Sequence, residues 1–167
     1  MELDTLKALY VEELKDLYSA ENQILKALPR MIKAASNAQL KKAFSAHERQ
    51  TQEHVKRLER VCDELGVAPR GKKCHGMEGL LEEGKELISE RPEPEVLDAG
   101  LISAAQHVEH YEIAGYGTAR TFAMQLGFDR QAQLLQRTLN EEGATDKLLS
   151  NLAERTINIE AEVGADL

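Results

Sequence analysis

The chain has 167 residues, 42% hydrophobic and 30% charged, which suits one soluble domain over 1–167 with a real core. Its formal charge of −8 excludes nucleic acid and anionic membranes as main partners, since both select a basic face. No apolar run reaches membrane-spanning length, and the start, MELDTLKALYVEELKDL, is acidic and amphipathic rather than a secretion signal, so a cytoplasmic protein is expected.

Helical periodicity dominates, with no alternating β-branched run. Leu6, Tyr10, Leu14, Leu17, Ile24, Leu28 and Met31 recur at steps of three, four and seven, predicting helix A from roughly Leu3 to Ala35. Pro29 should bend it, because proline removes one hydrogen bond and crowds the preceding turn. After a break at Ser36-Asn37, helix B runs from about Ala38 to Leu65, with Gly66 as its C-terminal cap. The looser VAPRGKKCHGMEG leads to a short amphipathic helix near Met77–Ile88. Cys62 and Cys74 form no Cys-x-x-Cys pair, and free thiols are expected. SERPEPE starts helix C, which runs to Leu126. Gly127 stops it, Asp129 is the expected N-cap, and helix D extends from about Arg130 to near Ile159.

Short A–B and C–D turns make each pair antiparallel, while about thirty residues separate B from C. The expected fold is all-α: a ferritin-like four-helix bundle, two antiparallel helical hairpins joined by a long crossover containing a short helix. With the crossover along the outside, helices A and C are expected to run parallel. Leu80, Leu81 and Leu87 should then pack against the bundle.

Polar residues on the apolar stripes are the informative ones. Helix A carries Glu21 between leucines and an isoleucine; helix B carries His47, Thr51 and His54. Helix C has Glu109 and Glu112 within VEHYEIAGYG, and helix D has Glu142 and Asp146. Glu21 and His54 lie 33 residues apart, as do Glu109 and Glu142, which can bring each pair to one height in its hairpin. Buried carboxylates at one level cost several kcal/mol unless cations or protons compensate them. Two divalent ions bridged by carboxylates, with histidine completing the shell, would satisfy the set. Glu112 could instead face a helix boundary, and His47 could be a hydrogen-bonded core residue. If Glu142 is a ligand, Glu142→Leu should stabilise the metal-free protein.

The strings ELKDLYSAENQILKALPRM, CHGMEGLLEEGKEL, DAGLISAAQHVEHYEIAGYGTA and LNEEGATDKLLSNLA resemble the bacterial YciE/YciF stress-protein family over nearly the whole chain. The resemblance implies a ferritin-like bundle, a homodimer, and a carboxylate-bridged centre of the rubrerythrin type holding two iron or manganese ions. The chain departs from the ferritin-like pattern in lacking any Glu-x-x-His. Helix B has Gln50 where Glu is expected, and Asp16 rivals Glu21 as the helix A ligand. The expected ligands are Glu21, His54, Glu109, Glu112, Glu142 and Asp146. Three functions compete: a metal protein reacting with oxygen or peroxide, with Tyr111 or Tyr116 tuning it; a non-catalytic dimeric stress protein whose buried acids form hydrogen-bond networks; and, more weakly, an iron-storage cage, for which the sequence shows no surfaces.

Overall fold

Each long apolar stripe closes into a helix whose ends are marked by capping residues. The computed structural model describes residues 3–164, and every regular element there is helical: α1 (Leu6–Ala34), α2 (Ala38–Glu64), α3 (His75–Glu90), α4 (Pro94–Gln125) and α5 (Asp129–Leu152). A π-turn, Ala153–Ile157, then leads into α6 (Asn158–Gly164). Thr5 Oγ1 accepts the Ala8 N–H, and Asn37 Oδ1 accepts those of Gln39 and Leu40. At the far end of α2, Gly66 adopts φ 69°, and the Val67 N–H returns to the Cys62 carbonyl, as a Schellman cap requires. Gly127 closes α4 in the same way, with Phe128 bonding Ala123. Asp129 is the first helical residue of α5 rather than its cap; Phe128 holds the cap position without a side-chain bond. An acid in the first turn still favours the helix dipole. Pro29 is accommodated inside α1, which continues to Ala34.

Four long helices pack as α1 on α2, α2 on α5, α5 on α4 and α4 on α1. Their directions correct one expectation. Buried Asp98, early in α4, accepts the N–H groups of Ser36 and Asn37, each at 2.8 Å, so α4 begins beside the end of α1. Helices α1 and α4 are therefore antiparallel, not parallel. A crossover that climbs the bundle returns the chain to the end where α2 began, so α2 and α4 share a direction.

The core falls into two apolar halves. One gathers Ile24, Leu28, Phe44, Leu101 and Leu149; the other gathers Tyr10, Leu14, Leu58, Tyr116 and Leu135. Between them every long helix contributes buried polar residues, among them Glu21, His54, Glu109 and Glu142. That layer is the candidate site.

Helix α3 lies across α1 and α4. Met77 is its fully buried residue, whereas Leu80, Leu81 and Leu87 are only half-buried. The Tyr111 ring sits so near Gly76 that a Cβ there would lie 2.7 Å from Cε2, which leaves room for glycine alone without rearrangement. Helix α3 ends at Arg91 with φ 51°, a left-handed conformation that costs a side-chain-bearing residue roughly 1–2 kcal/mol. Arg91→Gly is expected to stabilise the protein by up to about 1 kcal/mol once glycine's larger unfolded-state entropy is subtracted. A urea midpoint that stayed put or fell would contradict this.

Candidate metal centre

Two groups of donor atoms occupy the polar layer. His47, Glu109, Glu112 and Glu142 form one; Glu21, His54 and Glu142 form the other, with donor atoms within 4.8 Å of one another in each. Glu142 belongs to both. His47 Nε2 lies 3.2 Å from Glu109 Oε1, and His54 Nδ1 lies 2.8 Å from Glu142 Oε1 and 3.2 Å from Glu21 Oε1. These approaches are short but poorly aligned as hydrogen bonds. Both oxygens of Glu112 and of Glu142, with Glu21 Oε2, Glu109 Oε2, both His47 nitrogens and His54 Nδ1, are buried without a partner. Unpartnered buried polar atoms are rare, and so many converging on one layer ask for a cation.

The surrounding residues set up the donors. His54 Nε2 meets Glu141 Oε2 at 2.9 Å, and Arg57 grips the same carboxylate with two bonds of 2.6 and 3.0 Å. A carboxylate on one ring nitrogen fixes a proton there and turns the other nitrogen inward, the usual outer-shell arrangement for a ligating histidine. On the far side, Tyr116 donates its hydroxyl proton to Glu21 Oε1 at 2.5 Å. Burial drives the phenol pKa up, and the Glu21 carboxylate adds to that, so the proton stays on oxygen.

The charges sort themselves within the layer. Burial pushes the Glu112 carboxyl well above the usual range, and Glu142, Glu21 and Glu109 reinforce it. Glu109 is raised by burial and by Glu142 in the same way. Burial would raise Glu142 too, but the Glu109 carboxyl and the two imidazoles beside it hold Glu142 well below its ordinary value. Burial alone would lower His54, yet Glu142 and Glu21 lift it to about 10. Without metal, burial and mutual repulsion thus favour the protonated forms of Glu109 and Glu112, beside a His54–Glu142 pair held toward its charged forms.

Five of the six expected ligands, Glu21, His54, Glu109, Glu112 and Glu142, come together here. Asp146 does not join either group. Its carboxylate takes Gln106 at 3.1 Å and His110 at 3.2 Å on the outer side of α4. A residue four positions after Glu142 is rotated about 40° further round the helix, enough to leave the layer. Asp16 is engaged elsewhere, by Cys74 at 3.0 Å and Tyr111 at 2.8 Å, so Glu21 is the α1 contribution. Gln50 accepts from Thr145. Both cysteines are free. Glu141 and Arg57 leave no mark on the apolar stripes because each stands at a stripe's flank, with part of its side chain in solvent.

An all-helical protein with a buried carboxylate–histidine layer is the class that fold and site define. The chain belongs to the family described as Domain of unknown function (DUF892), whose model matches residues 5–162. It is 45% identical over 163 residues to Protein YciF of Escherichia coli (strain K12), covering 97% of this chain and 98% of that protein. The crystal structure of the E. coli stress protein YciF superposes with a TM-score of 0.90 at 44% identity, covering 93% of this chain and 99% of that one. YcfI from Rhodopseudomonas palustris gives a TM-score of 0.87 at 41% identity, covering 89% and 95%. A Xanthomonas campestris protein at 19% identity and a TM-score of 0.79, covering 96% and 99%, shares the fold alone. The family expected from the sequence is the one found. Among the described residues no helix is long and apolar enough to cross a membrane.

Proposed function

We propose that this protein is a ferritin-like four-helix bundle that would hold two ions of iron or manganese in the two donor groups, to both of which Glu142 belongs, and that it serves in a stress response. The observation that carries the reading is the pair of donor groups sharing Glu142, lined with buried oxygens and nitrogens that lack partners. The donor inventory supports it as well. Four carboxylates and two imidazoles are what di-iron bundles assemble from two glutamates and two Glu-x-x-His pairs. Here buried Thr51 stands three residues before His54, and Thr145 three after Glu142, where those pairs would be completed. Glu112 and His47 supply the missing carboxylate and imidazole from other turns. The set is redistributed rather than lost.

Bound iron or manganese would contribute one-electron redox chemistry. The chain's own part is legible in its residues. Glu141 and Arg57 fix the His54 ring, Tyr116 steadies Glu21 and keeps a phenolic proton beside it, and the two apolar halves keep water from the layer. Elemental analysis of protein purified without chelator should find about two metal ions per chain, as carboxylate-bridged bundles hold. His54→Ala should lower that content while circular dichroism stays helical. Metal-free wild-type protein that takes up neither iron nor manganese would leave a stress protein with a structural acid cluster.

A further inference from the structure

An approach with a charged rim and an apolar neck leads toward the layer. A groove of about 450 Å³ lies between α1, α3 and α4, and behind it, over His47 and Glu109, is a chamber of about 20 Å³. Ala27, Met31, Leu81 and Val108 line both, so these four side chains form the partition between solvent and site. Beyond the partition the walls are Ile24, Leu28, Phe44, Ala105 and Leu149, and Thr145, His47 and Glu109 are the only polar contributors. At His54, itself fully buried, the partly exposed Arg57–Glu141 pair covers the layer.

Resting on the metal reading, we infer that this groove and chamber are the path by which dioxygen reaches the His47–Glu109 side of the centre, and that dioxygen, not hydrogen peroxide, is the oxidant the protein admits. The size of the chamber suits one diatomic or water-sized molecule and excludes an organic substrate, since a single water needs about 10–15 Å³ by the same measure. The lining selects further. Dioxygen loses no hydrogen bonds on entering an apolar passage, whereas peroxide would leave water's hydrogen bonds behind at a neck of alanine, methionine, leucine and valine. Helix α3 acquires a purpose on this view: Leu81, half-buried, is its contribution to the neck.

The first arm of the test needs no metal. Dissolved oxygen is paramagnetic, and under oxygen pressure it should broaden the methyl resonances of buried Val108 and Leu28 in the metal-free protein more than those of comparably buried Leu58 and Leu135 in the other half of the core. The second arm uses protein loaded with Fe²⁺, where two ferrous ions each give one electron to dioxygen, which takes two protons and leaves as hydrogen peroxide. Ala27→Phe should slow this oxidation several-fold at unchanged iron content, and Leu81→Ala should speed it; added hydrogen peroxide should not reproduce that pattern. Uniform methyl broadening, or oxidation indifferent to both substitutions, overturns the path. Failure to bind iron at all would instead overturn the metal centre, leaving the methyl experiment to decide whether oxygen enters the chamber.

Discussion

Glu112→Leu is expected to raise the melting temperature of the metal-free protein and to abolish its response to added metal. Glu112 is fully buried with neither oxygen partnered, so in the absence of metal burial pushes it toward the neutral form and it forgoes the hydrogen bonds water would give it. Leucine has similar volume and none of that cost. Replacing buried ionisable groups by apolar ones of matching size commonly gains about 1–4 kcal/mol, which for a chain of this length is several degrees. The sequence alone points this test at Glu142, and the structure reverses the sign there. Glu142 is the ionised partner of His54, 2.8 Å away, and removing it strands a buried imidazolium, so Glu142→Leu should destabilise the metal-free protein. In the wild type, saturating metal stabilises by about 2.7 kcal/mol at a hundredfold excess over its dissociation constant. Melting curves of the three proteins with and without metal decide the matter. A Glu112→Leu protein that melts lower than wild type, or still responds to metal, would show that Glu112 has partners and a purpose other than ligation.

Metal uptake at neutral pH is expected to expel up to about three protons, one each from His54, Glu109 and Glu112. The same groups give the metal-free protein a distinctive pH profile. His54 rises from 6.5 to about 10 on folding, so its stabilising contribution is complete below pH 6.5 and lost as the pH climbs through 10. Glu109 and Glu112 are raised too, which contributes stability below their ordinary value of 4.5 that falls away as the pH rises through their folded values. Glu142 runs the other way: depressed on folding, it contributes above 4.5 and loses that contribution in stronger acid. The metal-free chain should therefore be most stable in mild acid and weaken toward alkaline pH by a few kcal/mol, each pKa unit being worth 1.36 kcal/mol. The metal-bound protein should show the opposite slope, because ligands must be deprotonated to bind. Titration in weakly buffered solution and urea melts from pH 5 to 9 measure both effects. Uptake without proton release would mean that the acids and His54 are not the ligands.

The architecture was legible because four apolar stripes and two glycine stops report directly on helix faces and ends. Glu21, His54, Glu109 and Glu142 could be found by the same route, since a carboxylate flanked by leucine and isoleucine on a buried face needs compensation. Two kinds of information were beyond that reach. A stripe gives an angle only to within about one position, so Asp146 passed for an inward residue and His47 could not be separated from a core histidine. Contacts between side chains on different helices leave no periodic trace. Arg57 and Glu141 meet across α2 and α5 at a stripe's edge, and nothing in either segment announces the other. The relative direction of α1 and α4 follows from loop geometry alone, and the contact between Asp98 and the Ser36–Asn37 turn is what reveals it.

The sharing of Glu142 between both donor groups has a consequence for stoichiometry. On the proposed reading, four glutamates surround two ion positions, so two divalent ions bring the layer's formal charge to neutrality while one ion leaves it two short. A half-filled layer would have to keep protons on two of its acids in a space the apolar halves seal from water. The first arrival would also drive off protons the second would otherwise have to displace. Occupancy then moves by pairs: under scarce metal the population divides into chains with two ions and chains with none, and the protein answers to metal supply as a threshold rather than in proportion.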